Sequence, residues 1–147
     1  MSRSGYSDDG ENNWGMICWR GAVSSALRGS RGQAFLKELA EAMDAMPVKR
    51  LVTEELQADG EFCTLGVVGN VRNLDMSVID PDDSEAVAGK FGLAEAMVRE
   101  IVWENDEHPG VYGTRPDGST GWRRETPEER WIRMRKWVDS NIKQVTP

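Results

Sequence analysis

The stretch VAGKFGLAEAMVREIVWEND, residues 87–106, has the spacing of a helix-turn-helix DNA-binding motif. Such a motif needs a small residue in the first helix, a glycine at the turn and apolar residues on the inner face of the second helix. Four residues stand at those offsets: Ala88, Gly92, Val98 and Ile101. The spacing therefore predicts two helices that meet at a corner. Reading DNA would also require cations for phosphates and polar groups for base edges.

The side chains on the outer face of the second helix argue against DNA reading. The pattern predicts that this face carries Ala94, Glu95, Ala96, Arg99, Glu100, Trp103 and Glu104. Three of these residues are acids and one is a base, so phosphates would repel the face. We therefore expect a structural corner, or a surface that docks a protein, and we do not expect direct DNA binding.

Negative charge is concentrated around this corner. Residues 75–107 hold ten acids against Lys90 and Arg99, a formal charge of −8, within a chain of formal charge −7. Two interpretations stay open: a solvated face, or an acidic surface that binds a basic partner. The candidate partner-binding residues are Asp80, Asp82, Asp83, Glu85, Glu95, Glu100, Trp103 and Glu104.

The C-terminal stretch GWRRETPEERWIRMRKW, residues 121–137, alternates arginine with tryptophan. Such interleaving is typical of platforms on which nucleic-acid bases stack. The alternative hypothesis is therefore nucleic-acid binding through Arg123, Arg124, Arg130, Arg133, Arg135 and Lys136. Three glutamates dilute this charge and the tryptophans follow helical spacing, which favours a structural role for the segment.

Few residues suit catalysis. The only histidine, His108, stands beside Asp106 and Glu107, but no second histidine or cysteine pair lies at metal-ligand spacing. Cys63 has an apolar setting and no histidine in its segment, which favours an inert thiol. Neither a GxSxG motif nor a phosphate-binding P-loop occurs. We expect no catalytic residue, no metal site and no cofactor, and hence a protein that is not an enzyme.

Hydrophobic periodicity predicts a mainly α-helical domain of five to seven helices. The first helix covers residues 14–28, and glycines at 29 and 32 break the chain after it. In the second helix Phe35, Leu39, Met43 and Met46 form an apolar stripe that Pro47 ends. Residues 48–73 are ambiguous between helix and strand, although the spacing of Cys63, Val67 and Val71 favours a helix.

Capping signals mark the later helices. Asp80 and Pro81 predict a helix start, and Gly92 predicts a left-handed helix end. A helix follows over residues 93–105, and RPDGST then predicts a turn in a short hairpin. The last helix begins at Thr126, with Pro127 at its first position and Glu129 completing a capping box. Its residues Trp131, Met134, Val138 and Ile142 are expected to face the core.

Length and composition fit a single domain over residues 14–145, preceded by a flexible arm at residues 1–13. No apolar run approaches the roughly 20 residues that cross a bilayer, and the N-terminus lacks the apolar core of a signal peptide. Two cysteines, Cys18 and Cys63, then predict reduced, buried thiols and a cytoplasmic protein. Trp103 and Trp137 leave a homodimer open as a further possibility.

Nearly the whole chain, residues 14–143, resembles small proteins encoded by phages and prophages of Gram-negative bacteria. The resemblance lies in FCTLGVVG, a Cys-x-Leu-Gly helix, in the Asn-Asp of ENDE, and in the Thr-capped final helix TPEERWIRMRKWV. It carries no catalytic role to any residue here. It implies an origin in the cytoplasm of an infected or lysogenic bacterium.

That setting favours an accessory protein that acts by binding a host protein. An acidic surface could occupy the nucleic-acid groove of a basic defence protein, as anti-CRISPR or anti-restriction factors do by mimicking DNA. A host partner with a basic surface is therefore expected, and no membrane association.

Overall fold

The computed structural model describes Arg3, residues 13–107 and residues 110–143, with side chains from residue 18 onward in the first helix. This part of the chain is a mainly helical single domain, as the sequence predicts. Its helices are α1 (Asn13–Arg28), α2 (Ser30–Asp44), α3 (Thr64–Val71), α4 (Ser84–Phe91), α5 (Glu95–Asp106) and α6 (Pro127–Asn141), with a 3-10 turn at Met76–Val78. Two antiparallel hairpins complete it: β1 (Gln57–Ala58) with β2 (Glu61–Phe62), and β3 (Val111–Thr114) with β4 (Thr120–Arg123).

The core forms mainly between the apolar faces of α2, α3, α5 and α6. Phe35, Leu39 and Met43 of α2 are buried, so the predicted stripe is confirmed there, while Met46 is only partly buried. Met134 and Val138 of α6 are fully buried, and Trp131 and Ile142 pack partly buried against the same core. The last helix therefore supplies side chains that the rest of the core requires.

The junction of α1 and α2 differs from the prediction at one glycine. Gly29 precedes α2 in an extended conformation, but Gly32 lies inside α2, so the predicted break at Gly32 is wrong. A methyl group at Gly32 would overlap the carbonyl oxygen of Ala26. Gly32 thus allows the start of α2 to approach the end of α1 closely, and this packing outweighs the low helix propensity of glycine.

The ambiguous segment, residues 48–73, contains irregular chain, the β1–β2 hairpin and then α3. The predicted helix is confirmed, but Val71 at its end is 55% exposed and does not join Cys63 and Val67 in the core. Gly66 faces the preceding segment, where an added methyl would overlap the carbonyl oxygen of Leu56. The small residue lets α3 lie directly on that segment.

The corner between α4 and α5 has the predicted shape with a different start. Asp83, rather than Asp80, caps α4 by accepting a hydrogen bond from Ala86 N at 3.1 Å. Asp80 instead accepts from Asp82 N at 2.9 Å in the preceding turn. Gly92 ends α4 in the left-handed conformation, with φ of 69°, as predicted. The carboxylate closer to the helix therefore provides the cap.

Most of the remaining predictions are confirmed or lie outside the described residues, and one is wrong. The capping box of Thr126 and Glu129, with Pro127 at the first turn, is present, and so is the β3–β4 hairpin. The expected flexible arm lies outside the described residues, apart from Arg3 and Asn13. Cys63 is buried, but Cys18 is exposed on α1, against expectation. No described helix is both long and apolar enough to span a bilayer.

Candidate functional site

The outer face of α5 packs against α1, which corrects the expected exposure of Glu100. Glu100 is only 6% exposed, and its carboxylate lies 4.0 Å from Arg20 Nη1. Arg99 places its guanidinium over the ring of Trp19, 4.3 Å from the ring centre. A helix face that packs on a neighbouring helix cannot enter a DNA groove. The helix-turn-helix spacing here therefore describes an interior corner.

Glu104 and Trp103 are also withdrawn from open solvent. The Glu104 carboxylate lies 3.6 Å from Arg133 Nη1 on α6, with about a fifth of its side chain exposed. Burial raises the pKa of Glu104, the nearby Glu100 raises it further, and Arg133 opposes the rise. Trp103 is half-buried. These residues belong to contacts among α1, α5 and α6 rather than to an open acidic belt.

Five of the candidate acids remain exposed around the start of α4. We call this set the acidic surface: Asp80, Asp82, Asp83, Glu85 and Glu95. Ser84 Oγ donates a hydrogen bond to Glu95 Oε1 at 2.8 Å, which brings the start of α5 beside the start of α4. None of the five forms an ion pair with a cation in the described part of the chain. Their charge is therefore available to a partner.

The C-terminal cations are mostly compensated within the fold. Arg123 pairs with Glu129 at 2.6 Å, and Arg133 pairs with Glu125 at 2.6 Å. Arg135 pairs with both Asp44 and Asp139, and Arg130 lies 3.5 Å from Glu125. Over residues 13–107 and 110–143, Arg124 and Lys136 alone of the six predicted cations are exposed without a carboxylate partner. The basic helix is thus a nearly neutral surface.

The three motifs of the resemblance converge at the end of α5. Asn105, which is 1% exposed, accepts hydrogen bonds from Thr64 N at 3.1 Å and from Thr64 Oγ1 at 2.8 Å. Its Nδ2 donates to the Val52 carbonyl at 3.0 Å. Nearby, Arg130 of α6 donates to the Leu51 carbonyl at 2.9 Å. The buried Asn105 amide therefore connects α3 and α5 to residues 51–52, which Arg130 of α6 also contacts.

Asp106 forms an ion pair with a buried arginine, Arg3. Arg3 Nη2 donates to Asp106 Oδ1 at 2.9 Å, and the backbone N–H of Glu54 donates to the same oxygen at 3.2 Å. Burial lowers the pKa of Arg3, but the neighbouring Cys63 and Asp106 raise it above its ordinary value. His108, which stands beside Asp106 and Glu107 in the sequence and is the one histidine that could bind a metal there, lies outside the described residues. Within them, no three potential metal ligands gather.

A polar cleft of about 510 Å³ opens above this network. Its walls carry three carboxylates and three guanidinium groups: Glu54, Asp106, Glu125, Arg123, Arg124 and Arg130. Glu54 adopts a left-handed backbone, with φ of 69°, which is uncommon for a residue with a side chain. The formal charges of the cleft walls cancel, so the cleft has no strong preference for a cation or an anion.

An aromatic pair on the β3–β4 hairpin stands at the rim of this cleft. Tyr112 and Trp122 are cross-strand partners, 63% and 64% exposed, with ring centres 5.7 Å apart and edge-to-face geometry. Trp131 and Trp137, by contrast, pack partly buried against the core. Sequence reasoning missed Tyr112, although strand alternation places residues 112 and 122 on the same face once the hairpin is paired.

Comparison with known proteins adds no relative to this chain. No protein-family model matches it, and neither a curated protein nor a solved structure shows a significant match.

Proposed function

We propose that this chain is a phage or prophage accessory protein that acts by binding a basic host protein, as an inhibitor of a nucleic-acid-directed defence system. The binding site is the acidic surface around the start of α4. Five carboxylates there imitate the negative charge of a DNA backbone and occupy the groove through which the host protein binds nucleic acid. The inhibitor works by occupancy and requires no catalytic step.

One observation carries the proposal: uncompensated charge is clustered on the acidic side of the molecule. All five residues of the acidic surface are exposed without an ion-pair partner among the described residues. Four of the six C-terminal cations have such a partner. Nucleic-acid binding through the C-terminal helix is therefore the weaker candidate, since only Arg124 and Lys136 could neutralise phosphates without losing an internal pair.

The decisive variant replaces the acidic surface by its amides: Asp80→Asn, Asp82→Asn, Asp83→Asn, Glu85→Gln and Glu95→Gln. Asparagine caps a helix as well as aspartate does, so α4 keeps its N-cap. The formal charge changes from −7 to −2, which is −7 plus five. The measurement is DNA binding and cleavage by purified bacterial RNA-guided and restriction nucleases, with the protein added before the DNA.

A matched variant controls for net charge. It neutralises five other exposed acids that have no ion pair among the described residues: Glu41, Glu54, Glu55, Asp59 and Asp117. We expect the wild type and this control to block DNA binding by at least one nuclease, and the acidic-surface variant to lose the effect. Inhibition that survives in the acidic-surface variant, or no inhibition of any nuclease, would contradict the proposal.

A further inference from the structure

We propose that the aromatic face of the β3–β4 hairpin binds single-stranded nucleic acid. Bases would stack on Tyr112 and Trp122, and a phosphate would lie near Arg124. This site is separate from the acidic surface and from the C-terminal helix. It lies beyond the C-terminal end of α5, whereas the acidic surface lies at the N-terminal end. A helix of 12 residues spans about 18 Å, so one ligand need not touch both.

The aromatic rings are available for stacking. Each exposes more than three fifths of its surface, which is unusual for a tyrosine and a tryptophan in direct contact. The register pairs Tyr112 with Trp122 and Thr114 with Thr120, so strand alternation puts two rings and two hydroxyls on one face. Base stacking on such rings is tolerant of sequence, because every base has a flat π-surface.

The opposite face of the hairpin explains why the rings point outward. Gly113 and Gly121 are paired there, and the Arg115 side chain covers Gly121 so closely that an added methyl would overlap its guanidinium. Arg115 Nε donates to the Trp122 carbonyl at 3.0 Å. Because the arginine occupies the glycine face, the aromatic face is the one left for a ligand.

One uncompensated cation stands beside the rings. Arg124 directly follows β4 and has no carboxylate partner within the described ranges, whereas Arg115 is held on the opposite face. Arg123, the last residue of β4, is compensated by Glu129. Asp117 at the tip of the turn is hydrogen-bonded to Ser119, which holds the pKa of Asp117 below its ordinary value. The hairpin therefore offers one position for a phosphate beside the rings, with one opposing charge at its tip.

The size of the patch favours a nucleic-acid strand over an acidic protein. A stable protein interface buries about 800 Å² on each partner. Two aromatic side chains supply at most roughly 300 to 500 Å² even if they were wholly buried on binding. A strand, by contrast, needs only a platform for successive bases and a cation for each nearby phosphate.

The test measures binding of a fluorescein-labelled oligothymidylate to the full chain by fluorescence anisotropy at several salt concentrations. One phosphate contact on a single strand predicts a slope of about −0.7 for the logarithm of affinity against that of salt, so fourfold more salt weakens binding about 2.6-fold. Contacts from all six C-terminal cations would instead predict a slope of about −4. The slope therefore distinguishes the hairpin from a site that uses all six cations, and Lys136→Gln distinguishes it from a site that uses only Arg124 and Lys136.

Variants locate the site. Trp122→Ala should weaken binding by roughly tenfold or more, since one stacked base contributes about that much, while Trp122→Phe keeps a flat ring and most of the affinity. Ile132→Ala, which trims another exposed apolar side chain, and Lys136→Gln, on the C-terminal helix, should have no effect. Circular dichroism and melting temperature verify that each variant is folded.

Four results would overturn the inference: no binding at low salt, unchanged affinity in Trp122→Ala, a slope near −4, or equal affinity for thymidine monophosphate, which would indicate a free nucleotide in the cleft. Competition by polyglutamate as strong as that by unlabelled oligothymidylate would also overturn it, because it would identify an acidic protein as the partner. None of these results bears on nuclease inhibition by the acidic surface, so the two proposals fail independently.

Discussion

At the scale of single residues, Glu129 shows how one carboxylate serves two elements. It accepts a hydrogen bond from Thr126 N at 3.0 Å, which completes the N-terminal cap of α6. The same carboxylate pairs with Arg123 of β4 at 2.6 Å. Hydrogen bonds from Arg123 and then from the Thr126 backbone lower the pKa of Glu129 to about 2. Glu129 thus attaches the hairpin to the last helix.

Replacing Glu129 with glutamine should lower the free energy of unfolding by about 0.5–1 kcal/mol at pH 7, since a third of the side chain is exposed and solvent screens the pair. Glutamine still completes the capping box, so the loss isolates the ion pair. A carboxyl whose pKa is depressed on folding stabilises above its ordinary pKa of 4.5 and loses that effect as pH falls towards 2.

Urea unfolding of wild type and Glu129→Gln at pH 7, 5 and about 2.5 measures this difference. It should be largest at pH 7 and fall to a small fraction of that value at the lowest pH. A difference that is constant over this range would mean that the carboxylate stabilises the fold through its shape and not through its charge.

At the scale of elements, close approach decides where glycine is required. Gly66 in α3 faces the Leu56 carbonyl oxygen with no room for a methyl group. Gly89 in α4 has open space where an added methyl group would lie. The two glycines share a helical backbone and differ only in their surroundings.

Alanine at these two positions should therefore have opposite effects. Gly89→Ala should raise the free energy of unfolding by roughly 0.5–1 kcal/mol, because alanine is the better helix former. Gly66→Ala should lower it by several times that amount, since α3 must move away from the Leu56 segment. Thermal melting measures the stability of both variants. Similar shifts in melting temperature would show that α3 is not in tight contact with the Leu56 segment.

The same distinction explains which elements the sequence predicted. The capping box of α6 and the left-handed Gly92 were predictable because each bond joins residues at most five positions apart. The burial of Glu100 and the helical Gly32 were not, because both depend on how α1 packs on another helix. The exposure of the five carboxylates was anticipated from their polarity. The hydrogen bonds of Asn105 could not be predicted from the sequence, since its partners Thr64 and Val52 lie 41 and 53 positions away.

At the scale of the whole molecule, Arg3 links the beginning of the chain to the end of α5. Its side chain is 2% exposed, and Asp106, 103 positions later, is its partner. The pair lies next to Asn105, so α3, α5 and Arg3 meet at the same place. Removing the guanidinium would leave the buried carboxylate of Asp106 without its ion-pair partner.

Arg3→Met should therefore lower the free energy of unfolding by about 3–5 kcal/mol, whereas Arg31→Met, at an exposed position of α2, should have little effect. Adding Asp106→Asn to Arg3→Met should restore part of the loss, because the unpaired charge is then gone. Chemical denaturation of the three variants measures these changes in the free energy of unfolding. If Arg3→Met is as mild as Arg31→Met, then the Arg3–Asp106 pair does not stabilise the fold.

The attachment of α6 also dictates when the protein can fold during its synthesis. Gln33 donates to the Asn141 carbonyl at 2.9 Å and accepts from Lys143 N at 2.8 Å, across 108 and 110 positions. Met134 and Val138 fill the core beside α2. On the ribosome, α3 can cover part of the apolar face of α2 soon after α2 emerges, but the part beside Met134 and Val138 stays open until α6 leaves the exit tunnel. The nascent chain must therefore keep that part from aggregating during the interval, and chaperones can bind it then.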